Sequence, residues 1–367
     1  MNSLVFSNFL HRPARTVVSI TGIAIGVLLI VFTVGLANGS MRERAQREAN
    51  VGAEIFFRPS GSTGLSGSES FSLPVEMKAD IEKVEGVQEA VGIGQNAIEV
   101  KDSKTGERLI DGIDFSTYAP LVGMEIIEGQ KLGDSGDEAI IDTAFQKQKQ
   151  LKVGEKLMMW DRDFTVVGTY EPAAGARVKI PLLTMQKQLG GEGKVTAFLV
   201  KIKNGLKVDA VADNLHKKFP DNQILLTRDL EELYMTSIPA LNIFLNVIIG
   251  VAAVISALVV LLTMYTTVTE RTRQIGIMKS LGMSNPAIAW LITQEALLIS
   301  SCGILLGVVM TVLLRYLLGL VTTLEVELSP VVLSIVTVVG LIGGALGGLY
   351  PALRAARLDA VDALGYE

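Results

Sequence analysis

The sequence predicts an α-helical membrane protein with four transmembrane helices and a large α+β extracytoplasmic domain inserted between spans 1 and 2. The chain has 367 residues, 49% of them hydrophobic and only 19% charged, against about 25% charged in an ordinary soluble domain. Of the 71 charged side chains, 56 lie in residues 38–237. These features argue against a single soluble globule, a disordered chain and a disulfide scaffold.

Four segments are long and apolar enough to cross a membrane. A hydrocarbon layer about 30 Å thick needs about 20 mostly apolar residues. The segments are 16–37, 233–269, 296–314 and 328–353. A cleaved signal peptide is the alternative for the first, because Arg12 and Arg15 precede it. Its 22 uncharged residues are too many for a signal peptide, and no Ala-x-Ala site follows, so we expect a retained anchor.

The spans and their flanking charges predict the domain order and the membrane sides. Basic residues flank the spans on one side, and the short loop after span 3 has none. The positive-inside rule therefore places both termini in the cytoplasm. We expect a cytoplasmic segment with span 1 at 1–37, an extracytoplasmic domain at 38–237, span 2 at 238–269, a cytoplasmic loop at 270–289, span 3 at 290–318, an external loop at 319–327, span 4 at 328–350 and a cytoplasmic tail at 351–367.

The second uncharged stretch, 37 residues long, exceeds one membrane crossing. The favoured interpretation is a helical stalk under the external domain. Residues 40–49, rich in Arg, Glu and Ala, would extend span 1 in the same way. A loop around Pro239 followed by an ordinary span is the alternative, because proline disrupts a continuous helix.

Small residues spaced four apart occur in every span. This spacing lets helix backbones approach closely in lipid, which indicates a packed bundle or a dimer interface. The residues are Gly22, Gly26, Ala252, Ser256, Gly303, Gly307, Gly340, Gly344 and Gly348. Glu295 is the one ionisable group near the start of a span. We expect it at the cytoplasmic interface, paired with Arg271 or Arg273, rather than in a substrate path.

The external block alternates strands and helices. We expect strands at 51–58, 87–100, 108–113, 138–141, 156–160, 164–169, 195–202 and 223–226, and helices at 74–85 and 207–219. Loops are expected at 60–68 and 102–106. A lobe at about 115–190 would be inserted into an α+β core. Residues 158–160 offer a ligand surface, but core packing is the favoured interpretation.

No motif in the sequence carries catalysis, metal binding or nucleotide binding. The Gly-x-x-x-x-Gly-Lys-[Ser/Thr] phosphate loop is absent, as are hydrolase and metalloprotease motifs. Cys302 is the single cysteine, and His11 and His216 are the two histidines. The net charge of −5 gives no basic face for nucleic acid. We expect no catalytic residue, no metal and no cofactor in this chain.

The loop between spans 2 and 3 reads Thr-Glu-Arg-Thr-Arg-Gln-Ile-Gly-Ile-Met-Lys-Ser-Leu-Gly over residues 269–282. It resembles the cytoplasmic loop of MacB/FtsX-type ABC transporter permeases. The matching residues are Glu270, Arg271, Ile275, Gly276, Lys279, Gly282 and the downstream Glu295. Gln274 and Ser280 depart from the usual Glu and Ala. Phrases at 12–16, 137–141, 164–168 and 351–364 extend the resemblance over nearly the whole chain.

The resemblance implies that this loop is a coupling helix seated on an ABC ATPase. Its residues would be Glu270, Arg271, Arg273, Ile275, Gly276, Ile277, Lys279 and Gly282. Ile275, Ile277 and Met278 are expected to form an apolar face, with the three basic residues facing an acidic groove. Because the phosphate loop is absent, the ATPase that binds ATP and Mg is expected in a partner chain.

The resemblance also implies the function. We expect the permease subunit of an ABC exporter in the bacterial inner membrane, not an enzyme, that moves a lipid, lipoprotein, peptide or drug by mechanotransmission. A second permease copy, a membrane-fusion adaptor and an outer-membrane duct are the further partners implied. The alternative is an FtsX-like scaffold that regulates a periplasmic hydrolase or sensor. A membrane-anchored enzyme has no motif to support it.

Overall fold

The computed structural model describes residues 13–61, 70–99, 107–236, 239–322, 324 and 326–357. Most of the loop expected at 60–68, the connection at 102–106 and the tail beyond Arg357 lie outside the described residues. The chain divides into two compact units. We call Ser40–Ile238 the α/β unit, and the residues before 40 and after 238 the helical unit.

Eleven α-helices, one 3-10 helix at Thr227–Asp229 and twelve strands are present among the described residues. The helices are α1 Pro13–Ala49, α2 Met77–Glu82, α3 Phe115–Val122, α4 Thr143–Lys149, α5 Leu182–Leu189, α6 Val208–Lys218, α7 Leu230–Thr236, α8 Pro239–Glu270, α9 Thr272–Ser280, α10 Asn285–Val321 and α11 Pro330–Arg357. The strands are β1 Ile55–Arg58, β2 Leu73–Pro74, β3 Val87–Glu99, β4 Glu107–Ile113, β5 Glu125–Gly129, β6 Glu138–Asp142, β7 Lys156–Met159, β8 Arg162–Glu171, β9 Val178–Pro181, β10 Lys194–Val195, β11 Ala197–Ile202 and β12 Gln223–Leu226.

The helical unit contains four helices long and apolar enough to cross a membrane: α1, α8, α10 and α11. Their order around an α/β unit confirms the expected fold class. Buried side chains of all four helices and of α9 form one apolar cluster, which includes Ile23, Val260, Ile299 and Val336. The third span is longer than expected, because Pro286 lies in the first turn of α10 and the helix already begins at Asn285.

Helix α1 continues without interruption for 37 residues, which corresponds to about 55 Å at ~1.5 Å per residue. Its last ten residues belong to the α/β unit. On the return path, α7 ends at Thr236 and α8 begins at Pro239; residues 237 and 238 lie outside the described part of the chain. Pro239 therefore opens α8, a position where its missing N–H has no helical partner to lose.

Ten strands of the α/β unit form one sheet. Its order is β12-β1-β11-β3-β4-β9-β6-β8-β5, with β7 paired to β8. The long strand β3 pairs with β11 through residues 87–93 and with β4 through residues 94–99. We call β12, β1, β11 and the start of β3 the first sheet half, and the remainder the second sheet half. The second half therefore includes residues 94–99 and 107–113, which lie upstream of the lobe expected at about 115–190.

Several expected elements have different bounds in the structure. The strand expected at 51–58 begins only at Ile55, because Gly52 has a φ of 69° and turns the chain. The helix expected at 74–85 is Met77–Glu82, because Leu73 and Pro74 pair with β10 and the Val75 N–H donates to the Gly193 carbonyl at 2.9 Å. In the segment 158–160, Met159 is buried whereas Met158 is exposed.

Candidate functional site

Helix α9 packs one face against the helical unit. Ile275 and Gly276 are buried, and Met278 packs on the same apolar cluster. Ile277 lies on the opposite, exposed face, so the apolar face expected from Ile275, Ile277 and Met278 is wrong. At about 100° per residue, residues two apart are about 200° apart on a helix and cannot share a face.

An ion pair joins the start of α9 to α10. One guanidinium nitrogen of Arg271 donates to both carboxylate oxygens of Glu295, at 3.3 and 3.4 Å. Both side chains are largely buried. They line a cavity of about 300 Å³ with Gln274, Ile275 and Met278 of α9 and with residues of α8 and α10. Of the two arginines named for Glu295, the structure places Arg271 beside it, while Arg273 is exposed.

A second contact holds the far end of α9. The Lys279 ammonium donates to the Ala356 carbonyl in the last turn of α11 at 3.0 Å, where the negative end of the helix dipole favours a cation. Gly282, with a φ of 91°, ends the segment. Arg271 and Lys279 are therefore engaged within the chain. Residues Arg273, Gln274, Ile277 and Leu281 form what we call the exposed α9 face.

All seven glycines singled out in the spans face neighbouring helices of the same chain. A Cβ added to Gly344 would overlap Ser300 Oγ, and one added to Gly26 would lie 2.9 Å from Ser256 Oγ. The other contacts pair Gly22 with Val259, Gly303 with Ile23, Gly307 with Val27, Gly340 with Ile304 and Gly348 with Ala296. These glycines pack α1, α8, α10 and α11 within one chain.

The α/β unit contains buried charges that the sequence did not reveal. Lys179 of β9 and Asp111 of β4 are fully buried and form an ion pair of 2.8 Å. Lys179 also donates to the Tyr118 hydroxyl at 3.2 Å. Asp111 accepts from Gln95 Nε2 at 3.1 Å and from the Ala176 N–H at 2.7 Å. Both carboxylate oxygens of Asp111 and the Lys179 ammonium thus have hydrogen-bond partners, as a buried charge requires.

The last turns of α1 bind both sheet halves through consecutive residues. Arg47 pairs at 2.8 Å with Asp142, at the end of β6 in the second half. The next residue, Glu48, lies 3.8 Å from Arg58 of β1 in the first half. Arg177 adds a contact to Glu43, one turn earlier in α1. We call these six residues and the Lys179–Asp111 pair the buried charge network.

Gly175 closes the network over the end of α1. Its carbonyl accepts two hydrogen bonds from the Arg47 guanidinium, at 2.9 and 3.1 Å, and its N–H donates to the Arg47 carbonyl at 2.8 Å. Its φ is 56°, and a Cβ there would overlap Asp111 Oδ2. Position 175 therefore requires glycine both for its backbone conformation and for the close approach.

Burial shifts the pKa of Lys179 in the network and of two tyrosines near it. Loss of water raises the pKa of Tyr118 and Tyr170 well above their usual value. It lowers the pKa of Lys179, against the opposing attraction of Asp111. The sequence signal was a lone charge within an apolar strand, as in Val178-Lys-Ile-Pro181 of β9. The partner could not be read from the sequence, because β4 and β9 are distant along the chain.

Comparison with known families identifies the class of protein that this arrangement belongs to. Residues 16–218 match the MacB-like periplasmic core domain, and residues 246–360 match the FtsX-like permease C-terminal domain. The first match alone spans more than half of the chain. The chain belongs to the MacB/FtsX-like ABC transporter permease family, which confirms the resemblance. With four apolar helices, it is a multi-pass membrane protein.

Individual relatives are distant in sequence. The chain is 25% identical, over 97% of its length, to the macrolide export ATP-binding/permease protein MacB of Shewanella sp. strain ANA-3, and it spans 59% of that protein. It is 25% identical to an uncharacterised ABC transporter permease of Methanocaldococcus jannaschii, covering 99% of this chain and 96% of that one. The periplasmic region of MacB from Actinobacillus actinomycetemcomitans aligns at 15% identity with a TM-score of 0.38, over 51% of this chain and 95% of that one.

Proposed function

We propose that the chain is the permease subunit of an ABC transporter and that an ATPase acts on it through the exposed α9 face. Arg273 offers a cation to an acidic groove, and Ile277 and Leu281 offer apolar contact beside it. Leu281 is 83% exposed and Ile277 is 44% exposed. The single observation that carries the proposal is that α9 is held at both ends, by Arg271–Glu295 and by Lys279–Ala356, while this face has no cover within the described chain.

The fixation of α9 supports a mechanical role. A push on the exposed face would reach α10 through the Arg271–Glu295 pair and α11 through Lys279. The Lys279 contact of 3.0 Å is a charge-assisted hydrogen bond, a class stronger than neutral ones, and the longer Arg271–Glu295 contacts of 3.3 and 3.4 Å add the attraction of opposite charges. A flexible surface loop would deform under the same force and would not transmit it to α10 and α11. We infer that α9 transmits force into the helical unit rather than only recognising its partner.

The buried charge network supports a second mechanical role, at the C-terminal end of α1. Because Arg47 and Glu48 bind different sheet halves, a rotation of α1 would act on both halves together. Breaking a buried ion pair costs about 3–5 kcal/mol. The end of α1 and the strands bound to it would therefore move together, with the ion pairs of the network intact. We infer that α1 carries motion to the sheet and that the α/β unit performs the work of the transporter.

The proposal also covers the transported cargo and the assembly of the transporter. Several relatives bear names that state macrolide export, and this chain spans less than two thirds of them. We propose that an ABC ATPase in a partner chain binds ATP and Mg, and that two permease copies assemble in the inner membrane with both termini cytoplasmic. The cargo would be a periplasmic or outer-leaflet lipid, lipoprotein, peptide or drug, with an adaptor and an outer-membrane duct as further partners.

The test is co-purification and ATP hydrolysis with the cognate ABC ATPase. We expect Arg273→Glu combined with Ile277→Glu to abolish co-purification and to lower permease-dependent ATPase activity at least tenfold. The matched control is Arg357→Glu, a charge reversal at an exposed residue of the last turn of α11. Unchanged ATPase binding and activity in the double variant would refute the proposal.

A further inference from the structure

The first sheet half ends in an open edge beside a groove. Strand β12 is the last strand of the sheet and pairs only with β1 among the described strands. Helix α6 lies alongside it, and the space between them is a groove of about 750 Å³. Ile224 and Leu226 of β12, Ala212 of α6 and Leu233 of α7 give this groove an apolar floor.

The register of β12 determines which of its backbone N–H and C=O groups point away from β1. The Thr227 N–H donates to the Glu54 carbonyl at 2.9 Å, so residues 227 and 54 form a hydrogen-bonded pair. Such pairs alternate along an antiparallel ladder. Residues 225 and 223 therefore also bond to β1, whereas the N–H and C=O groups of Ile224 and Leu226 point away from it. A further strand would find two donors and two acceptors there.

The groove is acidic and contains an unmatched acceptor. Four aspartates line it, and no Lys or Arg is among its described lining residues. Arg228, outside the lining, pairs with Asp209 and Asp229. Asp213 and Asp221 are exposed and have no ion pair with any described residue. Gln223 Oε1 also lines the groove region; it is buried and accepts no hydrogen bond within the described chain.

We propose that this edge and groove bind an extended, basic polypeptide segment of a partner protein, which adds to the sheet beside β12. Strand addition uses backbone hydrogen bonds for affinity and side-chain pockets for specificity. Alternate side chains of the added strand would lie on the apolar floor, and basic ones would face Asp213 and Asp221. This docking site is separate from the exposed α9 face and does not depend on the ATPase proposal.

The test uses the full chain in neutral detergent and a fluorescein-labelled octapeptide of alternating lysine and valine. We expect saturable binding by fluorescence anisotropy. Ile224→Pro should weaken binding at least tenfold, because it removes an outward N–H without breaking the β1 ladder. The matched control is Ile127→Pro at the opposite sheet edge, in β5, which should leave binding unchanged.

Peptide variants test the same proposal without altering the protein. An octapeptide with N-methylated valines, which lacks half of its backbone donors, should bind at least tenfold more weakly, and a Glu/Val octapeptide should not bind. Asp213→Asn with Asp221→Asn should weaken Lys/Val binding at least threefold and reduce its salt dependence. Equal binding of the N-methylated peptide, or unchanged binding by Ile224→Pro, would overturn strand addition. Equal binding of the Glu/Val peptide would overturn the basic partner.

Discussion

The helical unit and the α/β unit solve the problem of close packing in opposite ways. In the helical unit, glycines let helices approach until a single added methyl group would overlap a neighbour, as at Gly344 against Ser300. In the α/β unit, the contacts that join α1 to the sheet are buried charges, such as Arg47 with Asp142. Each solution follows from its surroundings. Lipid provides no hydrophobic drive between helices, so close approach decides association there.

The difference teaches where each unit is sensitive. Helices that pack closely through glycines do not tolerate added side-chain volume at those glycines. A charge network tolerates little change in charge, because one partner left alone in the interior carries its full desolvation penalty. The transmission of movement that we propose would depend on both kinds of contact.

The largest effect is expected from separating the buried pair. Asp111→Ala should destabilise β4 and β9 by about 3–5 kcal/mol, because Lys179 is left buried without its partner. Hydrogen exchange of the amides of β4 and β9 in the full chain measures this change. The control is Asp137→Ala, which removes an exposed pair with Arg162 and should cost at most about 1 kcal/mol. Equal protection in both variants would contradict the role of the network.

A smaller effect is expected at Gly175. Gly175→Ala combines a left-handed backbone with overlap onto Asp111, and we expect a loss of about 3 kcal/mol. Gly190→Ala is the matched control, because Gly190 has a φ of 68° and an added Cβ there would have no atom of the described residues within 4 Å. Its loss should be about 1 kcal/mol. Chemical unfolding followed by fluorescence of the full chain compares the two; similar losses would show that the close approach is unimportant.

The helical unit should respond to added volume. Gly344→Ala should lower the thermal midpoint of the full chain in detergent, with a cost of about 1–3 kcal/mol for overpacking against Ser300. Gly250 offers the comparison, since an added Cβ there would have no neighbour within 4 Å in the part of the chain that the structure describes. Gly250→Ala should be neutral or slightly stabilising. A midpoint that falls equally in both variants would show that the glycine seams are not close-packed.

The smallest effect is a titration without a change of fold. Burial raises the pKa of Tyr118 and Tyr170, so the folded state holds both protons above pH 10, where the unfolded state releases them. Their contribution to stability is constant below pH 10 and is lost as the pH rises through the folded values. Phenolate absorbance at pH 10 should therefore be equal in the wild type and in the variant Tyr118→Phe/Tyr170→Phe. A higher wild-type absorbance would contradict their burial.

The sequence predicted the parts that depend on local pattern. Hydropathy over long windows identified the four apolar helices, and the segment from Glu270 to Gly282 was identified by its motif. The glycines of the spans were also visible as a spacing. Their neighbours, such as Ser300 for Gly344, depend on which helices pack together, and spacing does not report that.

Other parts depend on contacts distant along the chain. Asp111 and Lys179 meet only because β4 and β9 are parallel neighbours in the sheet, and no local pattern states a strand order. The orientation of α9, in contrast, could have been predicted from the sequence. The helical period alone separates Ile275 from Ile277, and a count of 100° per residue would have placed Ile277 with Arg273 on the exposed face.

The most direct test of the central claim is photocrosslinking from the exposed α9 face. A benzophenone side chain at position 277 should crosslink to the ABC ATPase in membranes, whereas one at position 324 should not. Leu324 and Ile277 are both 44% exposed. They lie at opposite ends of α10, because α9 precedes the first residue of this 37-residue helix and Leu324 follows its last. Crosslinks from position 277 alone are the expected result. No ATPase crosslink from position 277, or crosslinks from position 324 instead, would contradict the account.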